Sequence, residues 1–209
     1  RLGVRFINGL QGHDEKYMKT AACAKHFAVH SGPEELRHEF DAVASKQDLF
    51  ETYLPAFQAA VEEADVESVM GAYNRTNGEP CCGSKTLLTD ILRNTWKFDG
   101  HVVSDCWAIK DFHQGHNVTS DAVESVSLAV ENGCDINCGN IFVYLTQAVK
   151  EGKISEEKIT EACVRLFTTR MKLGLFDNPE DVPFNQIPYE IVDSKEMQEM
   201  NLDIAKRCL

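Results

Sequence analysis

No run of apolar residues approaches the ~18 needed to cross a bilayer, and residues 1–10 lack the basic, apolar, small-residue order of a secretory signal. A bilayer-spanning role is excluded on the first count. CxxC spacing is missing, so the eight cysteines offer no zinc knuckle or redox pair. His30, His38, His113 and His116 supply no HxxxH or HxH pair on one predicted element with a carboxylate as third ligand, and no metal site is expected. Basic clusters are lacking as well. With a formal net charge of -12 and scattered lysines and arginines, the chain repels phosphate backbones and anionic lipid, which argues against nucleic-acid and membrane-surface partners. There is no low-complexity tract and no glycine-rich phosphate loop; "CGNI" at Cys138 is too short to serve as one, which weakens a βα-barrel enzyme acting on phosphorylated substrates.

What is present is an ordinary globular composition over 209 residues, 43% apolar, 9% aromatic and 26% charged, with ample material for a core. Residues 1–10 read as the middle of an amphipathic segment, and the chain is expected to be a piece of something longer. Cys23, Cys134 and Cys163 fall singly inside apolar segments and Cys81-Cys82 stand together, so small buried thiols are expected rather than disulfides. That leans towards a reducing, cytoplasmic setting.

Short strand-like runs alternate with helical patterns, the mark of stacked βα units and a parallel sheet. Strands are predicted at residues 21–27, 66–73, 101–104 and 134–138. Between them, Leu87, Leu88, Ile91, Leu92 and Thr95 form a helical stripe behind Ser84 as N-cap. Pro55 suits the first turn of a helix with Ala56, Phe57, Ala60 and Val61 inward. Gly133 and Gly152 fall where left-handed C-caps belong. A last helix of this unit starts at Ser155, carries Ile159, Ala162, Cys163, Leu166 and Phe167 on one face, and ends near Gly174. Residues 177–188 then hold three of the six prolines among acidic and polar neighbours, and a new helical pattern opens near Ser194.

Four strands make half of an eight-stranded barrel or a small open sheet. In a βα barrel the chemistry collects where strands run into the following loops. All four runs end in polar groups: Lys25-His26, Tyr73-Asn74, Ser104-Asp105, and Asp135 with Asn137. An α/β fold is therefore expected, the second half of a (β/α)8 barrel over residues 1–176, with a linker over 177–193 and the first helix of a second α/β domain over 194–209.

Asp105 follows the apolar pair Val102-Val103, where a rigid strand holds a carboxylate as a nucleophile must be held; a cap for the next helix explains the same position. Lys25 and His26 donate hydrogen bonds, to sugar hydroxyls or simply to solvent, and Lys25 near Asp105 favours the ionised carboxylate. Tyr73 offers a flat face and a hydroxyl, or a core aromatic; Trp107 offers a stacking wall for a pyranose, or loop packing. Asn74-Arg75-Thr76 and Asn117-Val118-Thr119 match the glycosylation pattern, which arises often by chance.

Together "CAKHFAVHSGPE", "SVMGAYNRTNGEP" and "GHVVSDCWAI" resemble glycoside hydrolase family 3 in order and spacing over nearly the whole chain. The resemblance implies a two-domain enzyme hydrolysing β-linked glycosides or oligosaccharides with retention and without a cofactor. Its nucleophile falls on Asp105, its sugar contacts on Lys25, His26, Met70, Tyr73, Cys106 and Trp107, and its acid/base on a glutamate of the parent chain's second domain. The β-N-acetylglucosaminidase branch, with a histidine acid/base in an Asp-x-His context, is disfavoured because "EELRHEFDA" has His38 but no such triplet. "SDC" is closer to the β-xylosidase and arabinofuranosidase-like members than to the β-glucosidase-like ones. The rival reading is a truncated or degenerate product that binds sugar or a partner without turnover.

Overall fold

In the computed structural model, residues 1–30 and 32–209 are described. Helix α1 (Leu2–Gln11) leads to strand β1 (Cys23–Phe27), and helical turns beginning with α2 (Lys46–Asp48) run into α3 (Pro55–Glu62). Strand β3 (Ser68–Gly71) follows β2 (Asp41–Ala42) in sequence, and a hairpin pairs β4 (Arg75–Thr76) with β5 (Glu79–Pro80). Next come a π-type helix, Lys85–Thr95, and strand β6 (His101–Ser104). Helices α4 (Ala108–Gln114), α5 (Ala122–Glu131), α6 (Leu145–Lys150), α7 (Glu156–Lys172) and α8 (Lys195–Arg207) complete the order.

The main sheet is parallel with order β1-β3-β6, Ser68 lying between Cys23 and His101. Parallel neighbours need crossovers, and helices supply them, so the predicted βα alternation stands. The first two predicted strands form at shorter lengths, and the third forms over the predicted residues, His101–Ser104. The fourth does not: residues 134–138 contribute a single parallel bridge, Val103 to Ile136. Backbone bonds hold that segment, Asp135 N donating to Val102 O at 2.8 Å and Ser104 N to Ile136 O at 2.9 Å, and Ser104 Oγ adds to them by accepting from Cys138 N at 3.0 Å and from Asn137 Nδ2 at 3.2 Å.

The helices cover the sheet through the stripes that their sequences carry. Leu87, Leu88, Ile91 and Leu92 are buried, and Ser84 Oγ accepts from Leu87 N at 2.9 Å as the expected cap. Thr95, counted in that stripe, is exposed, since the wider π turn rotates it away from the sheet. Pro55 does open α3 at its first turn, with Ala60 and Val61 buried; Ala56 is exposed, one step off the inward stripe. Phe27 packs edge-on against Phe57 and Trp96, at ring separations of 5.0 and 5.9 Å. Gly133 and Gly152 have φ of +102° and +69° behind α5 and α6, the left-handed geometry that glycine adopts without a Cβ penalty.

At the strands' N-terminal end, buried ion pairs fasten α7. Asp135 takes Arg165 Nε at 2.8 Å and Arg93 at 2.9 Å, with Val102 N at 2.7 Å. Glu67 takes Lys172 Nζ at 2.8 Å and Thr169 Oγ1 at 2.6 Å. Asp135 is thus a structural anchor and not a group at the other mouth, because its position at the start of its segment turns it towards the two arginines. On α7, Ala162 is buried while Cys163 and Phe167 face outward.

The cysteine expectation fails in part. Cys106 and Cys138 form a disulfide, and Cys23 and Cys163 are exposed; Cys81, Cys82 and Cys134 are buried thiols. Their separation of 32 residues gives no sequence signal because the bond joins loops brought together by parallel neighbours. The lean towards a reducing setting loses its ground with it.

After α7, residues 179–191 form three short 3-10 turns, and α8 opens on Ser194, whose side chain accepts from Met197 N. No residue of α8 is buried. Among the described residues no helix is long and apolar enough to cross a membrane.

Candidate active site

Because β1, β3 and β6 are parallel, their C-terminal ends lie along one edge of the sheet, and the chain's unusual polar groups gather there. Asp105 follows β6 directly. Its amide donates to Gly71 O at 3.2 Å, which ties it to the end of β3, and its carbonyl accepts from Ala108 N at 3.1 Å as α4 begins. Trp107 adopts left-handed φ of +71° and donates its amide to Cys138 O at 2.7 Å. With the Cys106–Cys138 disulfide, these bonds pin both sides of the residue following Asp105.

The Asp105 carboxylate is buried, and its two oxygens differ. Oδ1 accepts from Cys106 N at 2.9 Å. Oδ2 has no hydrogen-bond partner, although His26 Nε2 stands 3.4 Å away. The separation suits an ion pair, but the alignment is not that of a hydrogen bond, so the oxygen remains free. A buried carboxylate oxygen without a donor is costly unless it is kept for a ligand or a reaction.

His26 comes from β1 and its pKa is lowered, first by burial, with the neighbouring His30 and Lys25 adding to the effect and Asp105 opposing it. The imidazole is therefore held towards its neutral form. His30 lies against it at 4.6 Å between rings, with Nδ1 3.4 Å from Asn74 Oδ1. Tyr73, half-buried beyond β3, has its pKa raised by burial and then by the charge of Asp105 beside it.

The structure thus brings His26, Tyr73, Asp105 and Cys106 together. Lys25 is exposed and makes no ion pair with Asp105 among the described residues. Met70 is half-buried within β3, and Trp107 is 51% exposed over Gly139. Of the two glycosylation-pattern asparagines, Asn74 is buried and donates to Val29 O and Arg75 O, whereas Asn117 is exposed.

Sequence reading missed a second tier. Arg37 and His38 stand over Tyr73, the guanidinium 5.2 Å from the ring centre and the imidazole 4.7 Å away edge-on. His38 Nδ1 meets Asp111 Oδ2 of α4 at 2.7 Å. No spacing rule points to a pair 73 residues apart. The hairpin that places residue 75 was legible, however, since Asn77-Gly78 is a two-residue turn signature and both residues have positive φ. Among the described residues no three histidine, cysteine, aspartate or glutamate side chains cluster as metal ligands.

Residues 1–169 match the sequence pattern of the Glycosyl hydrolase family 3 N terminal domain. A xylan 1,4-β-xylosidase of Xylanibacter ruminicola is 44% identical over all of this chain and 25% of its own length. Among solved structures, a GH3 exo-β-xylosidase in complex with a xylobiose aziridine activity-based probe superposes with a TM-score of 0.89 at 32% identity, over 94% of this chain and 26% of that one. A β-glucosidase from Listeria innocua in complex with glucose gives 0.81 at 30% identity, over 93% and 27%. The chain spans about a quarter of the length of these relatives. On the family match and the xylosidase identity, the chain belongs to glycosyl hydrolase family 3, residues 1–169 matching its N terminal domain.

Proposed function

We propose that this chain carries the nucleophile half of a retaining β-glycosidase acting at the non-reducing end of its substrate, with Asp105 as nucleophile. The observation that carries the reading is the Asp105 carboxylate, one oxygen fixed by Cys106 N and the other buried without a partner at the sheet's C-terminal edge. The fixed oxygen sets the orientation, and the free one is the attacking atom.

As the bond from Oδ2 to the anomeric carbon forms, the bond to the leaving oxygen breaks and that oxygen takes a proton from a second carboxyl group ~5 Å from the first. The same group then removes a proton from the water that cleaves the ester, which releases the sugar with its configuration retained. On this reading the second group belongs to the parent chain's second domain, and the sheet described here is the second half of a (β/α)8 barrel. His26, neutral and 3.4 Å from Oδ2, and Lys25 donate to hydroxyls of the bound sugar, while Met70, Tyr73, Cys106 and Trp107 line its place. The "SDC" sequence, with Cys106 next to the nucleophile, and the xylosidase relatives favour a pentose over a hexose.

The experiment is proton NMR of the first product released from an aryl β-xyloside by the full-length parent protein. The β-anomer appears before mutarotation if the reading holds, and initial release of the α-anomer overturns it.

A further inference from the structure

We infer that Asp111 and His38 form a positioning relay that holds Arg37 and Tyr73 against Asp105; the inference deepens the reading above and rests on it. The relay begins six residues after the nucleophile, on α4. Asp111 is 13% exposed at its side chain and contacts His38 Nδ1 at 2.7 Å, the short distance of a charge-assisted bond. Burial raises its pKa, and His38 opposes the rise.

The other ring nitrogen is also engaged. His38 Nε2 accepts from Arg37 Nε at 3.2 Å, while the Arg37 guanidinium pairs with Glu34 and lies over Tyr73. An imidazole accepts at one nitrogen only when it is neutral, so the pattern assigns one tautomer, with Nδ1–H donated to Asp111. Both nitrogens being occupied, His38 has no free site from which to protonate a leaving group. What it can do is fix its neighbours. Its ring meets Tyr73 edge-on at 4.7 Å, and Tyr73 stands beside Asp105.

The contacts close a circuit: Asp105 begins the turn into α4, α4 carries Asp111, Asp111 holds His38, and His38 holds Tyr73 beside Asp105. The backbone is built for the approach. Gly115, at the end of α4, passes so close to the His38 carbonyl that an added Cβ would collide with its oxygen. Carboxylate, imidazole, guanidinium and phenol thus act as one unit, and loosening any member moves the groups that face the reacting centre.

The test uses the full-length parent protein with His38→Ala, Asp111→Ala, their double variant and the conservative Asp111→Asn, whose amide oxygen still accepts from Nδ1–H. Each alanine variant should lower kcat on an aryl β-xyloside on the order of ten- to a hundredfold. KM should stay within about twofold, the double variant should lose no more than the worse single, and Asp111→Asn should recover most of the loss. A spectroscopic arm is independent of turnover. In histidine-labelled protein the His38 ring nitrogens should show one tautomer, protonated at Nδ1, replaced by a mixture in Asp111→Ala. Multiplying losses in the double variant, a rise in KM with kcat unchanged, or mixed tautomers in the unsubstituted protein would overturn the relay. Protein inert towards aryl β-glycosides, yet showing the single tautomer and its loss in Asp111→Ala, overturns the glycosidase reading and leaves the relay standing.

Discussion

Asp105 owes its shape to three neighbours: Gly71 O and Ala108 N fix its backbone, and Cys106 N fixes one carboxylate oxygen. His26 supplies a nearby imidazole without saturating the other oxygen. A few residues away, His116 shows the opposite use of burial. Its ring lies against Phe112 with both nitrogens unpartnered, and burial, then Arg75 and His38, push its pKa down to about 4, with Asp41 opposing. An exposed histidine titrates near ~6.5. The unfolded chain therefore takes up a proton on His116 at a pH where the folded one does not. The stability contributed by the neutral ring is present above ~6.5, declines as the pH falls, and is lost by about 4. Denaturant midpoints of the parent protein between these limits should fall less steeply with acid in His116→Leu than in the unsubstituted chain; equal slopes would remove His116 from the acid sensitivity.

At the scale of elements, the two ends of the strands divide the labour. The C-terminal edge carries the free carboxylate, and the N-terminal end carries saturated ion pairs that clamp α7. Asp135 has no side-chain exposure and serves two arginines, so Asp135→Ala leaves two largely buried cations without their carboxylate. Breaking such an arrangement costs ~3–5 kcal/mol, and the partial exposure of both arginines places the expected loss near ~3. Chemical denaturation of the parent protein checks it, a loss below ~1 kcal/mol contradicting the clamp. Which elements could be read in the sequence follows from the same division. The stripe from Leu87 to Leu92 and the pair Val102-Val103 encode their burial by local period, so helix and strand were legible. So was Asp105, because a strand end announces itself. Asp135 looked like another mouth residue, since sequence does not say which end of a five-residue run a carboxylate will face. The Cys106–Cys138 bond and the pairing of His38 with Asp111 were hidden for a related reason: both join segments distant in sequence that meet only once the sheet has formed.

For the whole molecule, what lies exposed is as informative as the core. Leu2 and Phe6 on α1, and Val164, Phe167 and Met171 on α7, are exposed apolar side chains at opposite ends of the chain's run. Among the described residues β1 has a sheet neighbour on one side only, and beyond β6 the sheet continues by the single bridge to Ile136. Open edges and apolar faces drive association. Expressed alone, this chain should elute as dimers or larger species and show no turnover of aryl β-xylosides; a monomer with a sharp cooperative thermal transition would count against the half-barrel reading.

The central claim, that Asp105 forms a covalent bond to the sugar, has a direct test in the full-length protein. A xyloside with fluorine at C2 and a good leaving group destabilises the oxocarbenium-like transition state, so the glycosyl ester should form and then hydrolyse slowly. Intact mass should rise by one fluoro-sugar, and peptide mapping should place it within residues 101–110, on Asp105. Asp105→Asn removes the nucleophile at almost constant volume; it should show no label, and turnover lower by ~10⁴-fold or more with the fold retained. A label on Asp99 or Asp111, or full labelling of Asp105→Asn, would contradict the account.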